Sequence, residues 1–326
     1  MRILITGGAG MLGRKLAQRL ALDGAIDTTP ITQLALADVV APTVPEGAAF
    51  PVSTHVADVA QPGVADVLIT TRPDVVFHLA AIPSGGAEAD FDAGYRVNLD
   101  GTRQLLEAIR ARGSGYCPRV VFSSTIAVFG APFPGLIDDT FHLTPLTCYG
   151  AQKAMGELLL CDFTRRGFVD GVGIRLPTIC VRPGAPNAAA SGFFSNIIRE
   201  PLNGLGTVLP VTDDVRHPVA SPRAAIDNLV RAAAIEGDLL GDRRCLTMPG
   251  LSVTVAEQIA ALRAVAGAAT VDLLRREPDA TIQGIVAGWP RAFDTTRADA
   301  LGFRGERTFR EIIEVYVADE LGGVLP

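Results

Sequence analysis

Short apolar runs alternate with segments of helical periodicity along the first half of the chain. Ile3 to Ile5 is one such run, and Leu12, Leu16 and Leu20 follow it at helical spacing. Apolar runs of this kind predict strands buried on both faces, because helices cover both faces of a parallel sheet. The alternation predicts an α/β fold with a doubly wound parallel sheet and right-handed crossovers. Further strands are expected at 34–40, 75–80, 119–123 and 171–176, and helices at 12–22, 97–111 and 149–166.

The pattern changes after about residue 177, where proline and glycine become frequent. Helical segments at 224–235, 255–265 and 309–321 are separated there by irregular stretches. We therefore expect residues 1–176 to form the main domain. Residues 177–326 are expected to form a smaller substrate-binding lobe, from which some segments return to the sheet.

Composition and charge argue against several classes of partner. The formal net charge is −6 and no basic run exists, which disfavours nucleic acid and anionic membranes. No stretch of about 18 uncharged apolar residues is present, so no membrane span is predicted. The N-terminus enters an apolar strand at once, so no secretory signal is predicted. The five cysteines and four histidines are scattered without metal-ligand spacing, so we expect no metal, and reduced thiols in the cytoplasm.

A glycine-rich loop joins the first predicted strand to the first predicted helix. Gly7, Gly10 and Gly13 have the GxxGxxG spacing. The first glycine permits a tight turn, the second lets backbone approach a pyrophosphate, and the third lets the helix pack on the strand. The alternative is a plain glycine turn. The position between a strand and an amphipathic helix favours a dinucleotide site.

Two carboxylates could contact such a dinucleotide. Asp38 comes at the end of the second predicted strand, where an acidic side chain can bind both ribose hydroxyls and would repel a 2′-phosphate. This favours NAD over NADP, and the alternative is a solvated loop residue. Asp58, with Val59 beside it, follows another short extended stretch and could place a carboxylate near the adenine.

Tyr149 and Lys153 lie one helical turn apart and so share one face of the predicted helix. A tyrosine has a pKa of about 10, and a neighbouring ammonium together with a positive nicotinamide ring would favour the phenolate. Tyr149 would then be a usable base near neutral pH. Ser123, Ser124 and Thr125 end a predicted strand, so their hydroxyls would lie at the carboxyl edge of the sheet and could hold the reacting oxygen of a substrate.

These motifs resemble the extended short-chain dehydrogenase/reductase family, which includes nucleotide-sugar epimerases and dehydratases. The resemblance spans nearly the whole chain and includes His78 to Ala81, Asn98 and Val128 to Gly130. It implies a Rossmann domain over residues 1–176, with Tyr149 as proton acceptor and Lys153 on the nicotinamide ribose.

The resemblance also implies residue roles around these two. Ser124 or Thr125 would orient the substrate hydroxyl, and alignment on Val128-Phe129-Gly130 favours Thr125. Asn98 would buttress the active-site side of the sheet. The implied NAD contacts are Gly7, Gly10, Met11, Leu12, Gly13, Asp38, Asp58, Val59, Leu79, Ala80, Ala81, Asn98, Ser123, Tyr149, Lys153, Pro177 and Ile179.

The second half bears on the subfamily. Nucleotide-sugar members usually carry an Arg-x-x-Asn run after the strand that follows the catalytic helix, whereas here Thr178 replaces the asparagine. The stretch from Arg175 to Asn187, with residues 191–202, resembles D-erythronate dehydrogenases instead. That resemblance implies NAD-dependent oxidation of the C2 hydroxyl of a small sugar acid. An epimerase or dehydratase that retains NAD, an L-threonine 3-dehydrogenase-like enzyme and a non-enzymatic NAD-sensing scaffold remain alternatives.

A sugar acid needs a cation for its carboxylate, ideally a bidentate arginine. Arg216 is the first candidate from the family alignment, and Arg182 and Arg223 are alternatives.

Ser84-Gly85-Gly86 is expected to be a flexible loop near the nicotinamide. His217 and Trp289 are interpreted as packing residues, and a homodimer through 97–111 and 149–166 is expected from the family. The expected substrate contacts are Ser84, Thr125, Tyr149, Thr178, Arg182, Asn187 and Arg216.

Overall fold

The computed structural model describes residues 1–184 and 191–325. Within these residues, no helix combines the length and the apolar character that crossing a membrane requires. The strands are β1 (Arg2–Thr6), β2 (Ala25–Ile26), β3 (Thr29–Pro30), β4 (Gln33–Asp38), β5 (Val52–Val56), β6 (Val75–His78), β7 (Arg119–Thr125), β8 (Asp170–Leu176), β9 (Thr178–Ile179), β10 (Thr207–Leu209), β11 (Arg216–Ala220), β12 (Cys245–Thr247), β13 (Leu251–Thr254) and β14 (Leu274–Arg276).

The helices alternate with the strands of the first half, as the apolar pattern predicts. A π-helical segment, Tyr95–Gly101, precedes one of them, and short 3₁₀ turns cover Ile126–Val128 and Gly237–Leu240. The α-helices are α1 (Met11–Asp23), α2 (Val64–Leu68), α3 (Ser84–Ala89), α4 (Phe91–Gly94), α5 (Thr102–Ala111), α6 (Cys148–Arg165), α7 (Gly192–Leu202), α8 (Pro222–Ala234), α9 (Val255–Ala266), α10 (Ala268–Val271), α11 (Ala280–Ala287), α12 (Thr296–Ala300) and α13 (Phe309–Glu320).

The large sheet has seven strands in the order β12-β8-β7-β6-β1-β4-β5. The pairings that join β5, β4, β1, β6 and β7 are all parallel. Successive strands are added outward from β1 in both directions, which makes the sheet doubly wound and confirms the predicted fold class. In register, Thr6 pairs with Ala37 on one side and His78 on the other, so β1, β4 and β6 end together at one edge.

The chain divides into two compact units that are not continuous in sequence. The first unit comprises residues 1–128, 145–175 and 226–246, and contains most of the large sheet. Its core is formed by aliphatic residues of β1 and β6 together with Leu105, Ile109 and Phe122. Strands β1 and β6 are buried almost throughout, which explains their unbroken apolar sequences.

The second unit comprises residues 129–144, 176–225 and 247–326. It contains a three-stranded sheet in which β11 pairs parallel with β9 and antiparallel with β13. Its core joins aromatic and aliphatic residues of α7, α9 and α13, including Phe194, Ile197, Leu262 and Ile312. A capping box at Thr254 and Glu257 fixes the start of α9 directly after β13.

Several local predictions differ from the structure. The second predicted strand ends at Asp38 rather than at residue 40, because the backbone bends away after the last paired residue. The helix predicted at 97–111 begins as the π-helical segment Tyr95–Gly101 and becomes α-helical at Thr102. The loop predicted at Ser84-Gly85-Gly86 is wrong, since these residues are the first turn of α3 and Gly86 packs so closely on Ile82 that a Cβ would clash.

Helix α6 packs unusually close to the end of β7 and the turn after it. A Cβ on Gly150 would overlap the Ala127 carbonyl oxygen, and a Cβ on Gly156 would lie 2.7 Å from the Phe122 ring. Glycine at these two positions therefore sets how near the helix comes to the strand.

This contact predicts that Gly156→Ala destabilises the protein even though alanine favours a helix. Phe122 is fully buried, so overpacking against its ring should lower the free energy of unfolding by about 1–3 kcal/mol. The matched control is Gly284→Ala in α11, where a Cβ would meet open space and should stabilise by up to about 1 kcal/mol. Denaturant unfolding of both variants checks this, and stabilisation by both would contradict the close packing.

Candidate active site

The glycine loop forms a tight cradle at the edge where β1, β4 and β6 end. Gly7 has φ +78°, and a Cβ there would lie 2.7 Å from the Ala80 nitrogen. A Cβ on Gly13 would overlap the Gly7 carbonyl oxygen. Gly10 is the N-cap residue of α1 and offers no side chain to the amides at its start, where Met11 and Leu12 lie. Backbone donors at the start of a helix and glycines without side chains suit a pyrophosphate.

Asp38 lies beside this loop. One carboxylate oxygen accepts a hydrogen bond from the Ala9 backbone N–H at 2.9 Å. Asp58 follows β5, and its carboxylate accepts from the Ala60 N–H at 2.9 Å and from the Arg96 guanidinium at 2.6 Å. The neighbouring Val59 is buried against Gly101. The structure therefore places Asp38 at the glycine loop, and places Asp58 in an ion pair that the sequence pattern did not predict.

The segment Leu79 to Ile82 follows β6 and is fixed by Asn98. The side-chain oxygen of Asn98 accepts from the Ile82 N–H at 2.8 Å, and its amide donates to the Ile82 carbonyl at 3.0 Å and to Gln152 Oε1 at 2.7 Å. Asn98 is 1% exposed, and its amide hydrogens serve protein partners. This favours the buttressing role expected of Asn98 over a direct contact with the cofactor.

Tyr149 and Lys153 lie on the first two turns of α6. The Lys153 Nζ donates to the Ser123 carbonyl at 2.9 Å and lies 5.9 Å from the centre of the Tyr149 ring. Burial raises the pKa of Tyr149 to about 12, and burial lowers the pKa of Lys153 to about 7 while Glu157 opposes that shift. In the protein alone, loss of hydration dominates the Tyr149 pKa, and the expectation that the ammonium together with a nicotinamide ring favours the phenolate stays a prediction.

Strand alternation separates the three hydroxyl residues at the end of β7. Ser123 and Thr125 are partly exposed, whereas Ser124 is buried on the opposite face and donates to Glu157 Oε1 at 2.5 Å. Thr125 Oγ1 accepts from the Ala127 N–H, and Ser123 Oγ donates to the His78 carbonyl. The expectation that Ser124 holds the substrate is corrected: Thr125 remains the candidate, and Ser124 belongs to the core.

Sequence reasoning missed a buried ion pair beneath these residues. Arg175 makes a two-pronged contact with Glu157, from Nε to Oε1 at 3.0 Å and from Nη2 to Oε2 at 2.8 Å. Both side chains are under a tenth exposed. Tyr149, Lys153 and Glu157 follow one another at intervals of four along α6. This spacing places Glu157 on the same face of the helix as the other two and could have indicated that it lies below them.

In the second unit, Pro177, Thr178 and Ile179 follow the end of β8, and the last two form β9. Thr178 is partly exposed, and its hydroxyl lies 2.8 Å from His217 Nε2. Ser84, in the first unit, is partly exposed at the start of α3. The expected substrate contact Asn187 lies outside the described residues.

The three candidate arginines differ in their partners. Arg216 donates to the Ser252 carbonyl at 2.9 Å and lies 3.3 Å from the Glu257 carboxylate, and Arg223 is paired with Asp319. Among residues 1–184 and 191–325, no carboxylate lies within ion-pair distance of Arg182, whose guanidinium contacts the Ser191 hydroxyl at 3.3 Å. Burial lowers the pKa of Arg182. A poorly hydrated cation without a carboxylate favours an anionic ligand, so Arg182 replaces Arg216 as first candidate.

Comparison with known proteins identifies the family. Residues 3–216 match the model of the NAD dependent epimerase/dehydratase family. The chain belongs to this family. It is 49% identical to D-erythronate dehydrogenase of Cupriavidus necator over 98% of both chains, and 42% identical to that of Haemophilus influenzae over 97% of this chain and 99% of the relative.

A solved structure is closer still in sequence. It is described as the nucleoside-diphosphate-sugar epimerase from Agrobacterium tumefaciens, and it shares 58% identity and a TM-score of 0.98 while covering 100% of this chain and 96% of its own. The fold, the family and an oxidoreductase chemistry with a nicotinamide cofactor are thus shared with relatives. The glycine cradle, the free start of α1 and Asp38 fit such a dinucleotide.

The burial of the Lys153 ammonium predicts how the free energy of unfolding depends on pH. The pKa of Lys153 falls from 10.5 to about 7 on burial, so between these values the unfolded chain binds more protons than the folded protein. Lowering the pH through this window should therefore destabilise the wild type. Lys153→Met lacks this group. As the pH is lowered from about 9.5 to about 7, its free energy of unfolding should therefore rise relative to that of the wild type. Urea unfolding at both pH values measures the difference, and a constant difference would contradict the buried charge.

Proposed function

We propose that this chain oxidises the C2 hydroxyl of D-erythronate to 2-dehydro-D-erythronate with NAD. The observation that carries the proposal is the full-length similarity to two D-erythronate dehydrogenases, at 49% and 42% identity. The residues at the site support it, since Tyr149, Lys153 and Thr125 supply a base, a cation and a hydroxyl. Arg182 adds a cation that suits a carboxylate.

A nucleotide-sugar epimerase is the second candidate, favoured by the description of the 58% identical structure. Against it, this chain has Thr178 where nucleotide-sugar members usually carry asparagine. An epimerase regenerates its oxidised cofactor within each cycle, whereas a dehydrogenase releases NADH. Net NADH formation therefore separates the two functions.

NAD is proposed over NADP because of Asp38. Its carboxylate lies at the glycine loop, 2.9 Å from the Ala9 nitrogen, where it can accept from ribose hydroxyls and would repel a 2′-phosphate. When bound, the oxidised nicotinamide supplies the hydride acceptor and a positive charge.

The protein residues then have separate tasks in the proposed reaction. Thr125 holds the oxygen of the C2 hydroxyl, and Tyr149, as the phenolate, takes its proton as the hydride leaves C2. Lys153 is anchored by the Ser123 carbonyl and presents its charge beside Tyr149. Because burial alone raises the pKa of Tyr149 to about 12, the base depends on positive charge being close to it.

A cytoplasmic location and a homodimer complete the proposal. The five cysteines all lie in the part of the chain that the structure describes, and none of them is in a disulfide there, in keeping with a reducing compartment. Leu158 on α6 is 64% exposed and offers an apolar contact on the helix that the family uses for dimerisation.

The function is tested by following the reduced cofactor at 340 nm with D-erythronate and L-threonine, each with NAD and with NADP. Turnover of UDP-sugars is followed by chromatographic separation of the epimers, because epimerisation releases no NADH. We expect turnover of D-erythronate with NAD, and a loss of about 10²–10⁴-fold in kcat for Tyr149→Phe, with NAD affinity retained. Better turnover of a UDP-sugar or of L-threonine would overturn the substrate, and equal use of NADP would overturn the role of Asp38. Activity of Tyr149→Phe within about tenfold of the wild type would remove Tyr149 as the base.

Arg182→Ala should lower kcat/KM for D-erythronate by about tenfold to a hundredfold, because a charge-assisted hydrogen bond contributes about 1.5–3 kcal/mol. Arg182→Lys should recover part of this loss, since it keeps the charge without the planar fork. Arg216→Ala is the matched control and should stay within about threefold, because Arg216 already serves Glu257 and Ser252. The reverse order of effects would restore Arg216 as the carboxylate ligand.

A further inference from the structure

His217 is buried in the second unit among aromatic rings. It lies on β11 and is 3% exposed. Its ring stacks on Phe194 with centres 5.1 Å apart and planes at 10°, and it also packs against Trp289 at 5.1 Å. These contacts leave the imidazole a single orientation, so its two nitrogens have fixed partners.

Those partners determine where its proton lies. His217 Nδ1 is 3.2 Å from the Pro290 carbonyl oxygen, which can only accept, so Nδ1 carries the hydrogen. Burial lowers the pKa of His217 to about 4, so the ring is neutral at physiological pH and Nε2 is an acceptor. The group at 2.8 Å from Nε2 is the Thr178 hydroxyl, which must therefore donate to it.

The Pro290 carbonyl is itself held in place by its neighbours. Ser252 Oγ donates to the Arg291 carbonyl at 2.7 Å. Asp294 N–H donates to the Ile137 carbonyl at 2.8 Å. The segment from Trp289 to Asp294 is thus tied at several points, and it fixes the tautomer of His217 through Pro290.

The consequence falls on Thr178. Its one hydroxyl proton points at His217, so any further partner of the oxygen must be a donor. Within residues 1–184 and 191–325, His217 is the one hydrogen-bond partner of this hydroxyl, and Thr178 is partly exposed. We propose that His217 is a positioning residue, which makes Thr178 an obligate acceptor for the C3 or C4 hydroxyl of the substrate. The inference rests on the proposed function and deepens it.

This arrangement selects for substrates with a donor at that position. A substrate hydroxyl can donate a hydrogen bond to the Thr178 oxygen, whereas a methyl or methylene leaves that oxygen without a donor. A carbonyl would place its own lone pairs against those of the Thr178 oxygen and be repelled. Sites that bind a substrate hydroxyl in this way discriminate strongly against analogues that lack it. A tetronic acid with free hydroxyls should therefore be preferred over its deoxy analogue.

The test compares kcat/KM for D-erythronate and for (R)-2-hydroxybutanoate, which keeps C2 but lacks the C3 and C4 hydroxyls. Wild type, His217→Phe, Thr178→Val and the double variant are measured with NAD. We expect the ratio of the two kcat/KM values to fall about tenfold in each single variant, and no further in the double variant. His217→Gln, whose side-chain oxygen can still accept from Thr178, should recover part of the ratio.

If His217 has a purely structural role, its substitution should lower kcat/KM for both substrates by the same factor and leave their ratio unchanged. That result, or additive losses in the double variant, would overturn the inference. If His217→Phe does not fold, an unchanged ratio in Thr178→Val overturns it equally. If the wild type oxidises neither acid, the proposed function is contradicted. If it oxidises D-erythronate and both single variants keep the wild-type ratio of the two kcat/KM values, this inference alone is contradicted.

Discussion

The close approach of α6 to the end of β7 is the constraint on which the active site depends. Gly150 and Gly156 remove the side chains that would hold the helix away from Ala127 and Phe122. Only at this distance can the Lys153 ammonium reach the Ser123 carbonyl at 2.9 Å. The Glu157–Arg175 pair, with Ser124 donating to Glu157, fixes the same helix two turns below Tyr149. A buried ion pair of this kind contributes little net stability but strongly penalises any arrangement that separates its members.

The same packing disfavours the charged forms of Tyr149 and Lys153. Burial raises the pKa of Tyr149 to about 12 and lowers that of Lys153 to about 7, so each residue is held away from the charge state in which it is useful. A positive group beside Tyr149 would favour the phenolate and so oppose the preference for the protonated phenol. The proposed role of Tyr149 as base therefore depends on a positive group being close to it.

The sequence predicts well what local spacing determines. The glycine spacing, the apolar strands and the Tyr149–Lys153 interval each lie within a few residues, and the fold class and the place of these motifs follow from them. Contacts between distant parts of the chain are not predictable in this way. The fold brings Glu257 to Arg216, whereas no carboxylate of the described residues lies within ion-pair distance of Arg182, and the sequence alone indicates neither fact. Ser124 is different, since the two-residue period of β7 already places it opposite Ser123 and Thr125. His217 could be read from sequence as a packing residue, but the position of its proton requires Pro290 and Thr178 in space.

The central claim is that hydride leaves C2 of a sugar acid and is released on the nicotinamide. It is tested most directly with D-erythronate that carries deuterium at C2 or at C3 in separate samples. Mass spectrometry of the reduced cofactor should find deuterium from the C2-labelled acid alone, and that acid should react more slowly than the unlabelled one in a single turnover. Deuterium delivered from C3, or a reduced cofactor that carries none from either acid, would contradict the account.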